Sequence, residues 1–189
     1  MLRSFKHTAA LAACSFLLAA PPPGWFMAGS KPADYDANVD PQTVYNNRPS
    51  VVITSKSPEI NGFGTLMQSF SAEKYLKQRV RFSAFVKSSE VKNSAGLWMR
   101  VDGRGEPHKV LAFDNMQDRP IKGNTGWTNY EVVLDVPEDA TGIFFGILLG
   151  GTGTVWMNSA NFEVVGTGVP TTGHMPHLPD GPTNLTFEK

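Results

Sequence analysis

Val80-Arg81-Phe82-Ser83-Ala84-Phe85-Val86-Lys87 alternates apolar and polar residues with few lapses, and Leu97-Trp98-Met99-Arg100-Val101-Asp102 repeats the alternation a little further on. A period of two is the signature of a half-buried strand, because successive side chains leave a strand on opposite faces. Val80, Phe82, Ala84 and Val86 form one set, with Arg81, Ser83, Phe85 and Lys87 opposite. Leu97, Met99 and Val101 form the apolar set of the next segment, which leaves Trp98, Arg100 and Asp102 together on the other face. Outward from these two runs the same reading predicts strands over 64–70, 80–87, 96–102, 108–114, 127–136, 141–149 and 155–165, the last bent near Asn158. Each is bounded by Gly, Pro, Asn or Asp, the residues of tight turns. Tyr130, Val132, Leu134 and Val136 are expected inside, and Asn129, Glu131 and Asp135 outside. The run over 141–149 is apolar on both faces, as a central strand would be, and its Gly142 and Gly146 leave room for a neighbour. Helix is confined to one capped turn at 71–74, where Ser71 offers an oxygen to a backbone amide. The expected fold is all-β, a two-sheet antiparallel jelly-roll sandwich.

The chain has 189 residues, suited to one domain, which we place at 23–166. Before it, residues 1–22 resemble an export leader: Arg3 and Lys6, an apolar run over 8–20, then Pro21-Pro22-Pro23. That layout predicts an exported protein, periplasmic, extracellular or surface-anchored; the alternative is a start codon set too far upstream of a cytoplasmic domain. Leu11-Ala12-Ala13-Cys14 looks like a lipoprotein box, so a lipid on Cys14 is the one membrane attachment considered. Residues 24–57 read as irregular, with a single short strand at 51–55 and loops that wrap the sandwich. The tail, 167–189, is rich in Pro and Gly and carries a strand candidate at 184–188. Lys plus Arg equals Asp plus Glu at 17 each, so no global field draws the protein to nucleic acid, and none is expected as a partner. One cysteine excludes an internal disulfide.

Trp98, Arg100 and Asp102 are the leading candidates for ligand binding: a flat aromatic face for stacking, with a guanidinium and a carboxylate for directional hydrogen bonds. Phe85 joins them if the strands that carry Phe85 and Trp98 are neighbours. The competing reading covers this face with the N-terminal segment, which makes Trp98 core and Arg100 with Asp102 a salt bridge. Asp114 and Asn115 open a second polar cluster that runs to Pro120. Asp114 and Asp118 offer oxygens to a structural calcium ion, or else they cap a turn, the reading favoured here. No other cofactor is expected. His174 and His177 lie in the tail without a third ligand. Glu131 with Asp135, and Glu138 with Asp139, fall close in sequence, but the chain carries no nucleophile elbow, metalloprotease helix or phosphate loop, and no enzyme is expected.

Arg79–Lys87, Ala95–Gly103, Phe113-Asp114-Asn115-Met116, Trp127, Val136–Ala140, Phe145-Gly146 and Gly151–Trp156 follow Gly64–Gln68 in an order that resembles a galactose-binding-like, carbohydrate-binding-module jelly roll. It is similar to domains appended to bacterial AraC-type transcriptional regulators and to some processing-type peptidases. The resemblance implies a sensing or binding domain and names no ligand. No helix-turn-helix pattern accompanies it here. The wider group often opens with an Asn-x-x-Phe-Glu strand; here that motif stands at the other end, as Asn184-Leu185-Thr186-Phe187-Glu188, where it would add a strand in its own molecule or in a partner. The expected function is therefore a non-catalytic binding module for carbohydrate or a similar polar ligand. The alternatives are a protein-interaction or sensor domain that works by strand addition and, further off, a glycan hydrolase.

Overall fold

A computed structural model describes residues 20–105, 109–173, 182 and 184–186 of the chain. Its strands are β1 (Phe26–Gly29), β2 (Tyr35–Tyr45), β3 (Arg48–Ser55), β4 (Phe63–Ser71), β5 (Arg79–Gly103), β6 (Lys109–Asp114), β7 (Ile121–Asp135), β8 (Ala140–Gly150) and β9 (Thr154–Val165). All pairings are antiparallel. The fold is the jelly-roll sandwich that the alternation predicts.

The two layers share β5, and the start of β7 follows it across the crossing as far as the Ala95–Ile121 pair. Residues 79–89 of β5 pair with β7 on one side and β9 on the other, and β9 continues through β3 to β2. Residues 94–103 of β5 pair with β8 and β6, and β8 continues through β4 to β1. The expected strands at 80–87 and 96–102 are thus the two ends of a single 25-residue element that crosses from one layer to the other. The crossing is marked by Glu90 in the left-handed region (φ 53°) and by register shifts against β7. Its polar run, Ser88 to Ser94, reads as a turn in sequence. Here the hydroxyl of Ser88 donates to the carbonyl of Gly123 at 3.0 Å, and Asn124 Oδ1 accepts the Glu90 N–H at 2.8 Å, so polar side chains replace part of the ladder at the bend.

The inward sets are as the alternation assigns them. Val80, Phe82, Val86, Leu97, Met99 and Val101 are fully buried and meet Leu66 of β4 and Ile143 and Ile147 of β8. Phe145 is the hub of an aromatic cluster, with ring centroids 4.8 Å from Phe82, 5.3 Å from Phe162 and 5.7 Å from Trp25. The cores of both layers therefore lock through the aromatic rings as well as through β5. Helix is not confined to the expected turn: one 3-10 turn, Pro32–Asp34, precedes β2, and another, Glu73–Tyr75, follows β4, where Ser71 Oγ accepts the Glu73 N–H at 3.3 Å.

Residues 24–57 are more regular than expected. Three strands lie there, and β2 with β3 forms a hairpin whose turn residues Asn46 and Asn47 both have positive φ (49° and 60°), the conformation that suits the twist of a two-residue turn. Asp-Ala-Asn-Val-Asp-Pro-Gln within β2 has weak strand propensity, and pairing with β3 overrides it. The register slips between Asp40 and Val44. Asp40 holds this bulge: its carboxylate accepts the N–H groups of Gln42 (2.8 Å) and Thr43 (3.2 Å), and the indole N–H of Trp156 at 2.8 Å. Desolvation pushes the Asp40 carboxyl up, but the bonds from Thr43, Trp156 and Gln42 together outweigh it and hold the group below its ordinary value of 3.8. A carboxyl lowered in the folded state stabilises above the unfolded value, and that contribution disappears as pH falls through the lower, folded value. Melting temperature followed from neutral pH to about 2 should therefore fall more steeply below about 4 in the wild type than in Asp40→Asn. Parallel curves would show that the bulge does not depend on the ionised carboxylate.

The start of the tail is packed rather than free. Thr172 donates its N–H to the carbonyl of Val133 at 2.9 Å and accepts the Val133 N–H on Oγ1 at 2.8 Å. The carbonyls of Thr167 and Val169 accept from the Arg79 guanidinium. Val133, on the outward side of β7 by alternation, is fully buried next to this tail. Residues 185 and 186 form a turn and Asn184 is in no strand; the last two residues of the expected 184–188 strand, together with Cys14, His108, His174 and His177, lie outside the described residues.

Candidate functional site

The outer face of the β1-β4-β8-β5-β6 layer forms an open groove of about 850 Å³. Alternation places its lining. Leu66, Ile147 and Leu97 point into the core, so Thr65 and Met67 of β4, Phe144 and Leu148 of β8, and Trp98 and Arg100 of β5 point out. Phe26 of β1 and Phe63 at the start of β4 stand at one edge, 44% and 40% exposed, and Phe113 of β6 stands at the other. Asn93 and Asn115 add amides.

Glycine shapes the groove. A Cβ on Gly146, opposite Trp98 on β5 and Met67 on β4, would lie 2.2 Å from the Leu66 carbonyl oxygen. The close approach of these backbones needs a residue with no side chain there, as the sequence suggests.

Trp98 forms part of the floor. It is 9% exposed, and its Nε1 donates to Thr65 Oγ1 at 2.7 Å, which in turn donates to the Ile147 carbonyl at 2.9 Å. The indole is fixed by a strand-to-strand chain, and its polar edge is satisfied. Arg100 lies beside it. Its Nε and Nη2 each donate at 2.8 Å to the two oxygens of Asp102, a bidentate pair, while its Cζ sits 4.9 Å from the Phe144 ring centroid. The Asp102 side chain is 3% exposed and that of Arg100 38%. Asp102 therefore orients the arginine and does not itself reach the groove. The salt bridge of the competing reading is present, but the covering is not: the N-terminal segment pairs at the layer's edge as β1 and becomes a wall of the groove.

Phe85 is not beside Trp98. It lies on the far layer, stacked on Tyr45 with centroids 4.4 Å apart, and Trp127 packs on the same tyrosine at 5.3 Å. The expectation assumed two neighbouring strands where there is one crossing strand, so the two outward sets face opposite sides of the sandwich. On that far face the Tyr45 ring closes the β2–β3 hairpin over the sheet.

Asp114 is 5% exposed and works on its own loop. Oδ1 accepts the Met116 N–H at 2.8 Å, and Oδ2 accepts from Arg119 at 2.6 Å. Asp118 also pairs with Arg119, at 2.8 Å. Desolvation draws the Arg119 guanidinium down, yet Asp114 and Asp118 hold it above its ordinary value. This is the capped turn; a calcium ion here would compete with a guanidinium for both Asp114 oxygens. Among the described residues no group of three or more His, Cys, Asp or Glu is placed to hold a metal. The turn positions Asn115 at the groove and drives Met116, with φ 56°, into the core. Glu131 pairs with Arg81, Asp135 with Arg79 and Glu138 with Lys77, and no carboxylate is among the residues that line the groove.

The sequence reading missed Phe26, Phe63, Phe113 and Phe144. Phe144 alternates with Ile143 and Phe145 in a run apolar on both faces, so composition alone does not mark it as a surface residue.

The chain shares its fold with solved β-sandwich carbohydrate-binding modules. The CBM22-1 xylan-binding domain of Xyn10C from Paenibacillus barcinonensis superposes with a TM-score of 0.52 at 15% identity, over 77% of this chain and 88% of that one. The CBM22-1-GH10 modules of Clostridium thermocellum Xyn10B, complexed with xylohexaose, give 0.54 at 14% identity, over 76% of this chain and 26% of that one. At such identities the likeness establishes the fold. In sequence, the chain is 44% identical over 169 residues to the uncharacterized HTH-type transcriptional regulator YbfP of Bacillus subtilis; the match covers 88% of this chain and 57% of the regulator. No protein-family model matches the chain.

Proposed function

We propose that this protein is a non-catalytic binding module that holds a carbohydrate or a similar ligand in the groove over Trp98. The observation that carries the reading is the lining: aromatic rings on the floor and both edges, with one oriented guanidinium and the Asn93 and Asn115 amides between them. Rings offer apolar faces to the C–H side of a sugar, and the guanidinium and amides bond its hydroxyls. The shared fold with modules described as xylan-binding supports it. The likeness to a transcriptional regulator supports a second reading, in which the same groove senses an effector.

Titration of tryptophan fluorescence with a panel of oligosaccharides tests both. Phe63→Ala and Phe144→Ala should each weaken a saturable response by about 2- to 10-fold without unfolding the sandwich, because stacking contacts are worth roughly 0.5–1.5 kcal/mol. A response unchanged in both variants would place the ligand elsewhere, and silence across the panel would count against a sugar.

A further inference from the structure

The groove has a charge asymmetry that goes beyond a generic sugar site. Arg100 is the one charged residue among those that line it, and its counter-ion is set beneath the surface. Asp102 engages the guanidinium along one edge only, through Nε and Nη2. The other edge, formed by Nη1 and the second hydrogen of Nη2, is spent on no hydrogen bond among the described residues. An arginine fixed on one side and stacked over Phe144 is a preorganised fork, because its rotamer is already paid for before a ligand arrives. A parallel pair of N–H groups matches the two oxygens of a planar carboxylate. No Asp or Glu in the lining opposes an anion there, and the phenyl rings on both edges hold the remainder of a ligand close to it.

From this juxtaposition we infer that the groove selects a ligand bearing a carboxylate on a body that stacks on aromatic rings, with the carboxylate seated on the free edge of Arg100. This rests on the proposed role of the groove and adds the class of ligand: an acidic oligosaccharide, such as one of uronic acid units, rather than a neutral one. The same chemistry is offered by a carboxylate on a phenyl-bearing alkyl chain, and the test separates the two sources.

Isothermal titration of the full chain against tri-galacturonate, against the same trisaccharide with its carboxyls reduced to alcohols, and against 3-phenylpropionate supplies the arms. Tri-galacturonate should bind about tenfold or more tightly than its reduced form, since hydrogen bonds between charged groups are the strong ones. The double variant Arg100→Gln/Asp102→Asn, which removes both charges and so leaves no buried carboxylate unpaired, should erase that difference while near-ultraviolet circular dichroism stays unchanged. Arg100→Lys, a point charge without the fork, should restore only part of it. Equal affinity for the acid and its reduced form would overturn the inference and leave the sugar reading standing. Binding of phenylpropionate alone, lost in the double variant, would uphold the carboxylate and remove the sugar. A preference that survives the double variant, or no binding by any of the probes, would overturn it.

Discussion

Gly146→Ala should destabilise the sandwich by about 3 kcal/mol or leave it unable to fold, the largest effect expected of a single methyl group in this protein. The added Cβ would sit 2.2 Å from the carbonyl oxygen of Leu66 and 2.9 Å from the Cα of Met67. Both atoms are backbone of β4, hydrogen-bonded to β8 along nine residue pairs, so neither can rotate away as a side chain would. Relief requires the two strands to separate, and with them the floor of the groove. For a domain of this size 1 kcal/mol moves the melting temperature by about 2–4 °C, so a loss near 10 °C by circular dichroism is expected. Gly126→Ala is the control: apart from its chain neighbours, nothing among the described residues lies within 4 Å of its Cβ, and the melting temperature should barely move. Equal, small losses in both would mean that β4 and β8 are not held as closely as the structure has them.

Asp114→Ala should cost about 2–3 kcal/mol, measured by urea denaturation. It removes the acceptor of the Met116 N–H and the partner of Arg119 at once. The cost sits at the lower end of the range for broken ion pairs because the Arg119 side chain, 33% exposed, keeps access to water and to Asp118. The amide has no such outlet. Met116 is fully buried with a positive φ, and the Asp114 carboxylate is what holds the turn that places it. Asp114→Asn, which retains an oxygen for the amide, should fall between wild type and alanine. A wild-type midpoint for Asp114→Ala would show that Met116 is seated by packing alone.

The two-residue alternation made the core legible from sequence, since Val80, Phe82, Leu97 and Met99 are buried where it puts them. It also placed Trp98, Arg100 and Asp102 on one face. What it could not show is continuity: nothing in Ser88 to Ser94 distinguishes a loop between two strands from one strand bending between two layers. That ambiguity put Phe85 on the wrong side. The β2–β3 hairpin was hidden for a different reason, because its first strand has weak strand propensity of its own and is held by its pairing with β3 and by the Trp156 indole on Asp40. The groove was legible in part. Its polar members announce themselves by interrupting an apolar alternation, whereas a phenylalanine that faces outward looks the same in sequence as one that faces inward.

The crossing strand has a further consequence, for the order of events during synthesis. Among the described residues every strand partner of β5 lies after it in the chain, and Arg79 does not meet Val165 until β9 has been made. A growing chain must therefore carry 25 residues of strand, apolar on alternate positions towards both ends, with all of their strand pairing still to come. Arg79, Arg81, Lys87, Glu90 and Lys92 punctuate that stretch with charge, the kind of residue that discourages a bare strand from pairing with a copy of itself.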